Sequence, residues 1–218
     1  MAYFGSDEHG KWNRNIAQLQ FGKHVENISS KYESAPKKLR AEGAEWYSKA
    51  HDEAVRIGRG DAAKGAGILA ALSPLTHWSK NIEKADELVK TGTTTHITGM
   101  ASVLKAQRIN EGEDPTKVLG GNKVTSFYHN IQDPSNPHHV TIDRHAYDIA
   151  MGRPFVGIGG GKREDRGKGS MAEELGLKSK GRYDHFKDAY TVASHNLGLK
   201  VPNQLQSATW VAHRGSTR

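Results

Sequence analysis

The spacing of apolar residues predicts helices along most of the chain. Apolar residues recur three, four or seven positions apart over 39–57, 124–131 and 183–197, which places them on one face of a helix. The run Gly-Ile-Leu-Ala-Ala-Leu-Ser at 67–73 has too few polar positions for a surface helix, so we expect it to cross the core. Strand-type alternation is almost absent, and the predicted fold class is therefore mainly α.

Capping residues and breakers mark where these helices begin. Asp61 is suited to cap the apolar helix, and Ser73-Pro74 and Asp114-Pro115 are typical helix starts. Gly120-Gly121 predicts a turn that leads into the next helix. The prolines in 133–139 exclude regular structure there, so we expect an extended segment over 140–142 before Asp143 opens a further helix.

The pattern also suggests a domain organisation. Residues 1–35 show no sustained period and are predicted to form an irregular or partly helical N-terminal arm. Residues 36–218 are predicted to form a single helical domain of about 8–10 helices. Within it, 156–170 is rich in glycine and basic residues and is predicted to be a mobile loop.

Composition narrows the class of protein. The chain of 218 residues has no cysteine, which excludes disulfides and a cysteine-ligated iron–sulfur cluster. Its 31 Lys and Arg against 24 Asp and Glu give a formal charge of +7, which favours a polyanionic partner. Neither a signal peptide nor an apolar stretch of about 20 residues is visible, so we expect a cytoplasmic protein without a membrane partner.

Two residues are candidates for chemistry. Lys123 falls in the first turn of the helix after the two glycines, where the helix dipole disfavours an ammonium ion, and a lysine so placed can act as an amine nucleophile. The alternative is a solvated lysine that meets phosphate. Asp143 stands at the start of a helix, where free N–H groups keep a carboxylate ionised, although such a residue can also be an ordinary N-cap.

The pairing of these two residues resembles a known signature. The turn and helix with Lys123, the proline-broken loop and Ile-Asp-Arg-His at 142–145 are similar to the core of the endonuclease III superfamily of helix-hairpin-helix DNA glycosylases. The segment 67–89 resembles the upstream part of that signature, in which a core helix ends in Leu-Ser and the next opens with a polar turn and an asparagine. The resemblance covers about 60–155, with Leu119 where the family's first hairpin glycine usually lies.

This resemblance implies a fold, a reaction and a partner. The fold would be a helix-hairpin-helix glycosylase-like bundle with a DNA-binding cleft, acting as a monomer on duplex DNA with a flipped base and without a cofactor. The activity would be that of a DNA glycosylase with AP lyase activity, with Lys123 as Schiff-base nucleophile and Asp143 assisting its deprotonation. The implied DNA-binding residues are Gly120, Gly121, Asn122, Arg144 and His145.

Other interpretations stay open at the level of sequence. Some phage enzymes that hypermodify thymine in DNA share this scaffold, so a base-modifying transferase is one alternative. A DNA-binding module without chemistry is another. A metal site of His138 and His139 with Asp143 and His145 is not expected, because adjacent histidines rarely place both rings on one ion.

Overall fold

The structure, a computed structural model, describes residues 13–95, 99–153 and 180–215. Helices account for most of these residues, and the described part of the chain contains no strand. The helices are α1 (Arg14–Glu33), α2 (Lys37–Ala44), α3 (Trp46–Ile57), α4 (Ala62–Leu72), α5 (Trp78–Thr91), α6 (Met100–Asn110), α7 (Pro115–Val118), α8 (Asn122–Gln132), α9 (Arg144–Met151), α10 (Lys180–Asn196) and α11 (Pro202–Arg214). The mainly α class is thereby confirmed.

The buried apolar residues form two clusters. The first core lies among α3 to α8, with α4 at its centre, because every residue of α4 from Gly65 to Leu72 is buried. This confirms that the apolar run at 67–73 crosses the core. The second core lies among α1, α9, α10 and α11 and includes Val140 and Ile142 of the extended segment.

A buried polar network joins the two cores. Tyr47 of α3 belongs to the first core, and its Oη lies 3.0 Å from both Thr141 Oγ1 and Gln206 Oε1. Asn130 of α8 donates to the same Thr141 hydroxyl at 2.9 Å. Buried polar groups are costly unless they are paired, so this network specifies how the two cores meet.

The N-terminal arm, predicted to be irregular or partly helical, is one long helix over most of its described residues. Residues 14–33 form the twenty-residue helix α1, which is capped by the Asn13 side chain and buries Ala17, His24 and Ile28. Only a few positions of α1 are apolar and buried, and the sequence pattern of 1–35 therefore did not reveal the helix. The helix forms because its partners in the second core cover it.

Helix starts were predicted with mixed success. Asp61, Asp114 and Asp143 each accept a backbone N–H at the start of their helix, as predicted. Ser73 instead ends α4, and the next helix begins at Trp78, because Leu75 adopts a left-handed conformation with φ 57° that a helix does not accommodate.

Two further predictions concern other parts of the chain. The single apolar face expected over 39–57 is divided at Glu45 into α2 and α3. The loop predicted at 156–170 lies outside the described residues. Among the described helices, none is both long and apolar enough to cross a membrane.

Candidate functional site

Lys123 lies at the start of α8, as the glycine pair predicted. Gly121 takes φ 84°, a left-handed conformation that glycine adopts readily, and α8 begins at the following residue. Lys123 is the second residue of the helix and is half-buried. No hydrogen bond or ion pair joins its ammonium group to another described residue, so the amine is available to a ligand.

Asp143 is the N-cap of α9 and is also half-buried. Its Oδ1 accepts the backbone N–H of Ala146 at 2.8 Å, and its Oδ2 accepts the indole N–H of Trp210 at 3.2 Å. Both donors are neutral, and no described cation forms an ion pair with this carboxylate. Asp143 therefore presents an oriented negative charge that is not already neutralised by a salt bridge.

The extended segment before Asp143 is fixed by a buried tyrosine of α10. Tyr183 Oη donates to the carbonyl of Val140 and accepts the backbone N–H of Ile142, both at 3.0 Å. Burial, with a smaller contribution from the charge of Asp143, raises the pKa of Tyr183 to about 12. The hydroxyl thus stays protonated and supplies both hydrogen bonds, which hold the N-cap of α9 in position.

Four half-buried aromatic residues meet near Asp143. We call them the aromatic cluster: Trp46 of α3, Trp78 of α5, Phe127 of α8 and Trp210 of α11. The Trp46 ring centroid lies 4.9 Å from that of Trp78, 5.9 Å from Phe127 and 6.2 Å from Trp210. Side chains from four helices of both halves of the molecule therefore meet at one place.

Both candidate residues border this cluster. Lys123 lies four positions before Phe127, so the two side chains are neighbours on one face of α8. Asp143 lies on the opposite border, where it is hydrogen-bonded to Trp210. Asp143 thus contacts the cluster directly, whereas Lys123 is adjacent to it through its position four residues before Phe127.

The other predicted site residues differ in their exposure and in their contacts. Gly120 and Gly121 are exposed, and the space beside both is open, whereas Asn122 is half-buried. The Arg144 side chain is partly exposed, with its Nε 3.7 Å from Asp148 Oδ2. His145 is half-buried and packs edge-on against Trp210, with ring centroids 6.3 Å apart.

The structure brings together a different group of histidines from the group considered on the basis of the sequence. His139 stacks on His129, with centroids 4.2 Å apart and nearly parallel rings, and does not join Asp143. The group that does converge is His145, Asp148 and His213. The His-x-x-Asp spacing on α9 was visible in the sequence. The third member of the group comes from α11, some 65 positions later, so the sequence did not reveal the complete group.

The aromatic cluster was not predicted as a site. Trp46 and Phe127 fall within the apolar stripes predicted over 39–57 and 124–131. Trp46 and Trp78 are each the first residue of a helix, but neither helix start was itself predicted from the sequence. Periodicity alone does not tell a buried aromatic residue from one at the edge of a cleft.

Leu75 is a further exposed residue in this region. It lies three positions before Trp78, is 89% exposed and holds a left-handed conformation. A large apolar side chain in water on a strained backbone gains nothing for folding, so its presence points to a contact outside the chain.

The described residues thus define an all-helical protein with two cores and, where they meet, four aromatic rings and the Asp143 carboxylate. The chain belongs to a family described as a family of unknown function (DUF7178), whose model matches residues 11–217. No curated protein and no solved structure matches the chain.

Proposed function

We propose that this protein is a DNA glycosylase with AP lyase activity, in which Lys123 is the nucleophile and Asp143 the base. One observation carries the proposal: an unpaired, half-buried amine and a half-buried carboxylate without a cation border one aromatic cluster. Half-burial leaves both groups accessible, and their separate origins make coincidence a poor explanation.

The chemistry requires few groups. The neutral Nζ of Lys123 attacks C1′ of an extruded nucleotide, the C1′–N bond breaks, and the base leaves with the bonding electron pair and takes up a proton. Loss of a proton from Nζ to Asp143 and opening of the sugar ring give a protonated Schiff base. Elimination of the 3′ phosphate then nicks the strand, and water releases the lysine. Asp143 also stabilises the positive charge that develops on the sugar.

The surroundings fit a nucleic-acid substrate. Half-exposed aromatic rings offer a stacking surface for a base that has left the duplex. Leu75, beside the cluster, is suited to fill the gap that an extruded base leaves, as apolar wedges do in other DNA-binding proteins. The open backbone at Gly120 and Gly121, at the start of α8, is suited to a phosphate group, and the charge of +7 favours DNA overall.

Borohydride trapping tests the proposal. Wild-type protein is incubated with duplexes that contain an abasic site or one of a panel of modified bases, and the Schiff base is reduced to a stable adduct. We expect an adduct with wild type, none with Lys123→Ala, and an undiminished adduct with Lys117→Ala. Lys117 is the matched control, because it is an exposed lysine on the neighbouring α7. Absence of an adduct with every substrate contradicts the lyase mechanism.

Asp143 is tested by two substitutions that separate chemistry from capping. Asp143→Asn keeps a good N-cap but lacks the negative charge, so we expect near-normal stability and a rate of adduct formation about 10²–10⁴-fold lower. Asp143→Ala should lose the rate and also about 1 kcal/mol of stability. Equal rates for wild type and Asp143→Asn would remove Asp143 from the mechanism.

Analysis of the reacted DNA distinguishes the other functions. Mass spectrometry of nucleosides should reveal free base and a nicked strand under our proposal. A heavier nucleoside in intact DNA would instead identify a base-modifying transferase. Salt-sensitive binding without any product would identify a DNA-binding module.

A further inference from the structure

His145, Asp148 and His213 form a compact group on one side of Asp143. His145 and Asp148 lie three positions apart on α9 and so share a face, and His213 projects from the last turn of α11. Each residue offers one nitrogen or oxygen ligand atom, and these atoms all lie within 4.8 Å of one another. Small rotations of the side chains bring such a set to the distances that a single ion requires.

The exposure of the three side chains increases from Asp148 through His145 to His213. The Asp148 side chain is only 3% exposed, His145 is half-buried and His213 is exposed. An ion held here would have one deeply buried anionic ligand and would keep a side open to solvent. Three protein ligands with an open position are typical of zinc sites that bind a water molecule or another ligand.

An unpartnered nitrogen in this group favours metal binding. The Nδ1 atom of His145 is buried and has no hydrogen-bond partner among the described residues, which is costly for a polar atom. A bound ion would give a ring nitrogen of this kind a partner.

The partners of the Asp148 carboxylate also favour one class of metal ion. Arg144 Nε lies 3.7 Å from Asp148 Oδ2, and Asp148 has further interactions within the protein, so an ion would share this carboxylate with other partners. A site with one shared carboxylate is poor for Ca²⁺ or Mg²⁺, which need several oxygen ligands. Two imidazoles and one carboxylate suit Zn²⁺ and related transition-metal ions.

We propose that His145, Asp148 and His213 bind one divalent transition-metal ion of the zinc class, bridging α9 and α11 beside Asp143. This site is separate from the Lys123 chemistry and goes beyond the proposed glycosylase activity. The lysine mechanism can fail while the metal site stands, and the reverse also holds.

Titration of the metal-free, full-length protein with Co²⁺ tests this site, because protein-bound Co²⁺ gives a visible absorption band that reports its coordination. We expect one Co²⁺ per chain, a band typical of four or five ligands, and its loss when one equivalent of Zn²⁺ is added. We also expect Zn²⁺ to raise the melting temperature, since a ligand that binds only the folded state stabilises it.

Variants assign the ion to these residues. His213→Ala should weaken Co²⁺ binding by about 100-fold or more, because even the loss of a residue that only supports a ligand costs about 10–100-fold. His195→Ala is the matched control, since it removes an exposed histidine from the last turn of α10, and it should bind as wild type does. This control matters in a chain with twelve histidines.

His213→Gln and circular dichroism guard against misfolding. His213 is exposed, so both His213 variants should keep the wild-type spectrum, and weakened binding in both supports the site. The proposal is overturned if wild type shows no visible band. It is equally overturned if folded His213→Ala binds Co²⁺ as tightly as His195→Ala does.

Discussion

At the scale of single residues, the least expected pair is His24 of α1 with His185 of α10. Both side chains are buried, and Nδ1 of His24 lies 3.0 Å from Nε2 of His185, so one ring donates to the other. Burial is the main cause that lowers the pKa of each from 6.5 to about 4, and for His24 the charge of its partner contributes to that shift. The pair is neutral near pH 7 and holds α1 against α10.

This pair makes stability depend on acid. The two histidines bind protons near pH 6.5 in the unfolded chain but only near pH 4 in the folded chain. The stability that they contribute is therefore complete above about pH 7 and decreases as the pH drops toward 4. We expect a loss of about 2 kcal/mol or more between pH 7.5 and pH 5, measured by urea unfolding.

The double substitution His24→Leu with His185→Phe should flatten this slope, because both titrating groups are gone. The single substitution His195→Ala, at an exposed position, should leave the slope as in wild type. A wild-type profile that stays level from pH 7.5 to pH 5 would show that these histidines do not govern acid stability.

At the scale of elements, the contact between α2 and α11 depends on one glycine. A Cβ atom on Gly43 would collide with the backbone of Ala208, and the Gly43 carbonyl accepts the Ser207 hydroxyl at 2.6 Å. Two helix backbones therefore touch at this point. Glycine lowers helix propensity here, and close packing offsets that cost.

Replacement of glycine by alanine should consequently have opposite effects at two positions. Gly43→Ala should destabilise the protein by about 1–3 kcal/mol, because the backbone of α11 has to move. Gly22→Ala, inside α1 with open space around it, should stabilise it by about 0.5–1 kcal/mol. Chemical denaturation measures both, and a stabilising Gly43→Ala would disprove the close contact.

The short range of local signals explains why some elements were predicted from the sequence and others were not. Local signals fixed the starts at Asp61, Asp114 and Asp143, because a capping side chain bonds to N–H groups two or three residues away. The division at Glu45 and the helix α1 depend on partners far along the chain. A pattern within one segment does not contain that information.

At the scale of the whole molecule, buried hydrogen bonds couple the two cores to each other. Tyr47 links them through hydrogen bonds with Thr141 and Gln206. Burial is the main cause that raises its pKa, so the hydroxyl is protonated at neutral pH. Loss of this hydroxyl would leave the buried Gln206 Oε1 without its Tyr47 partner, while Thr141 keeps Asn130.

Tyr47→Phe is therefore expected to cost about 1–3 kcal/mol while the unfolding remains a single transition. Three of the four tryptophans of the chain lie at the junction of the cores, and circular dichroism reports all helices, so fluorescence and circular dichroism should change together. Tyr32→Phe, a half-buried tyrosine of α1, serves as the control and should change stability by less than about 0.5 kcal/mol. Two separate transitions would mean that each core unfolds alone.

The sequence by itself determined the helical class, the core position of α4, the capping residues and the placement of Lys123 and Asp143 at helix starts. These properties follow from propensity and periodicity, which act over one or two turns. Only the tertiary structure decided that Trp210 donates to Asp143, that four aromatic rings from separate helices meet, and that His213 joins His145 and Asp148. The physical reason is that side chains from distant segments meet only when burial of both cores fixes the helices against each other.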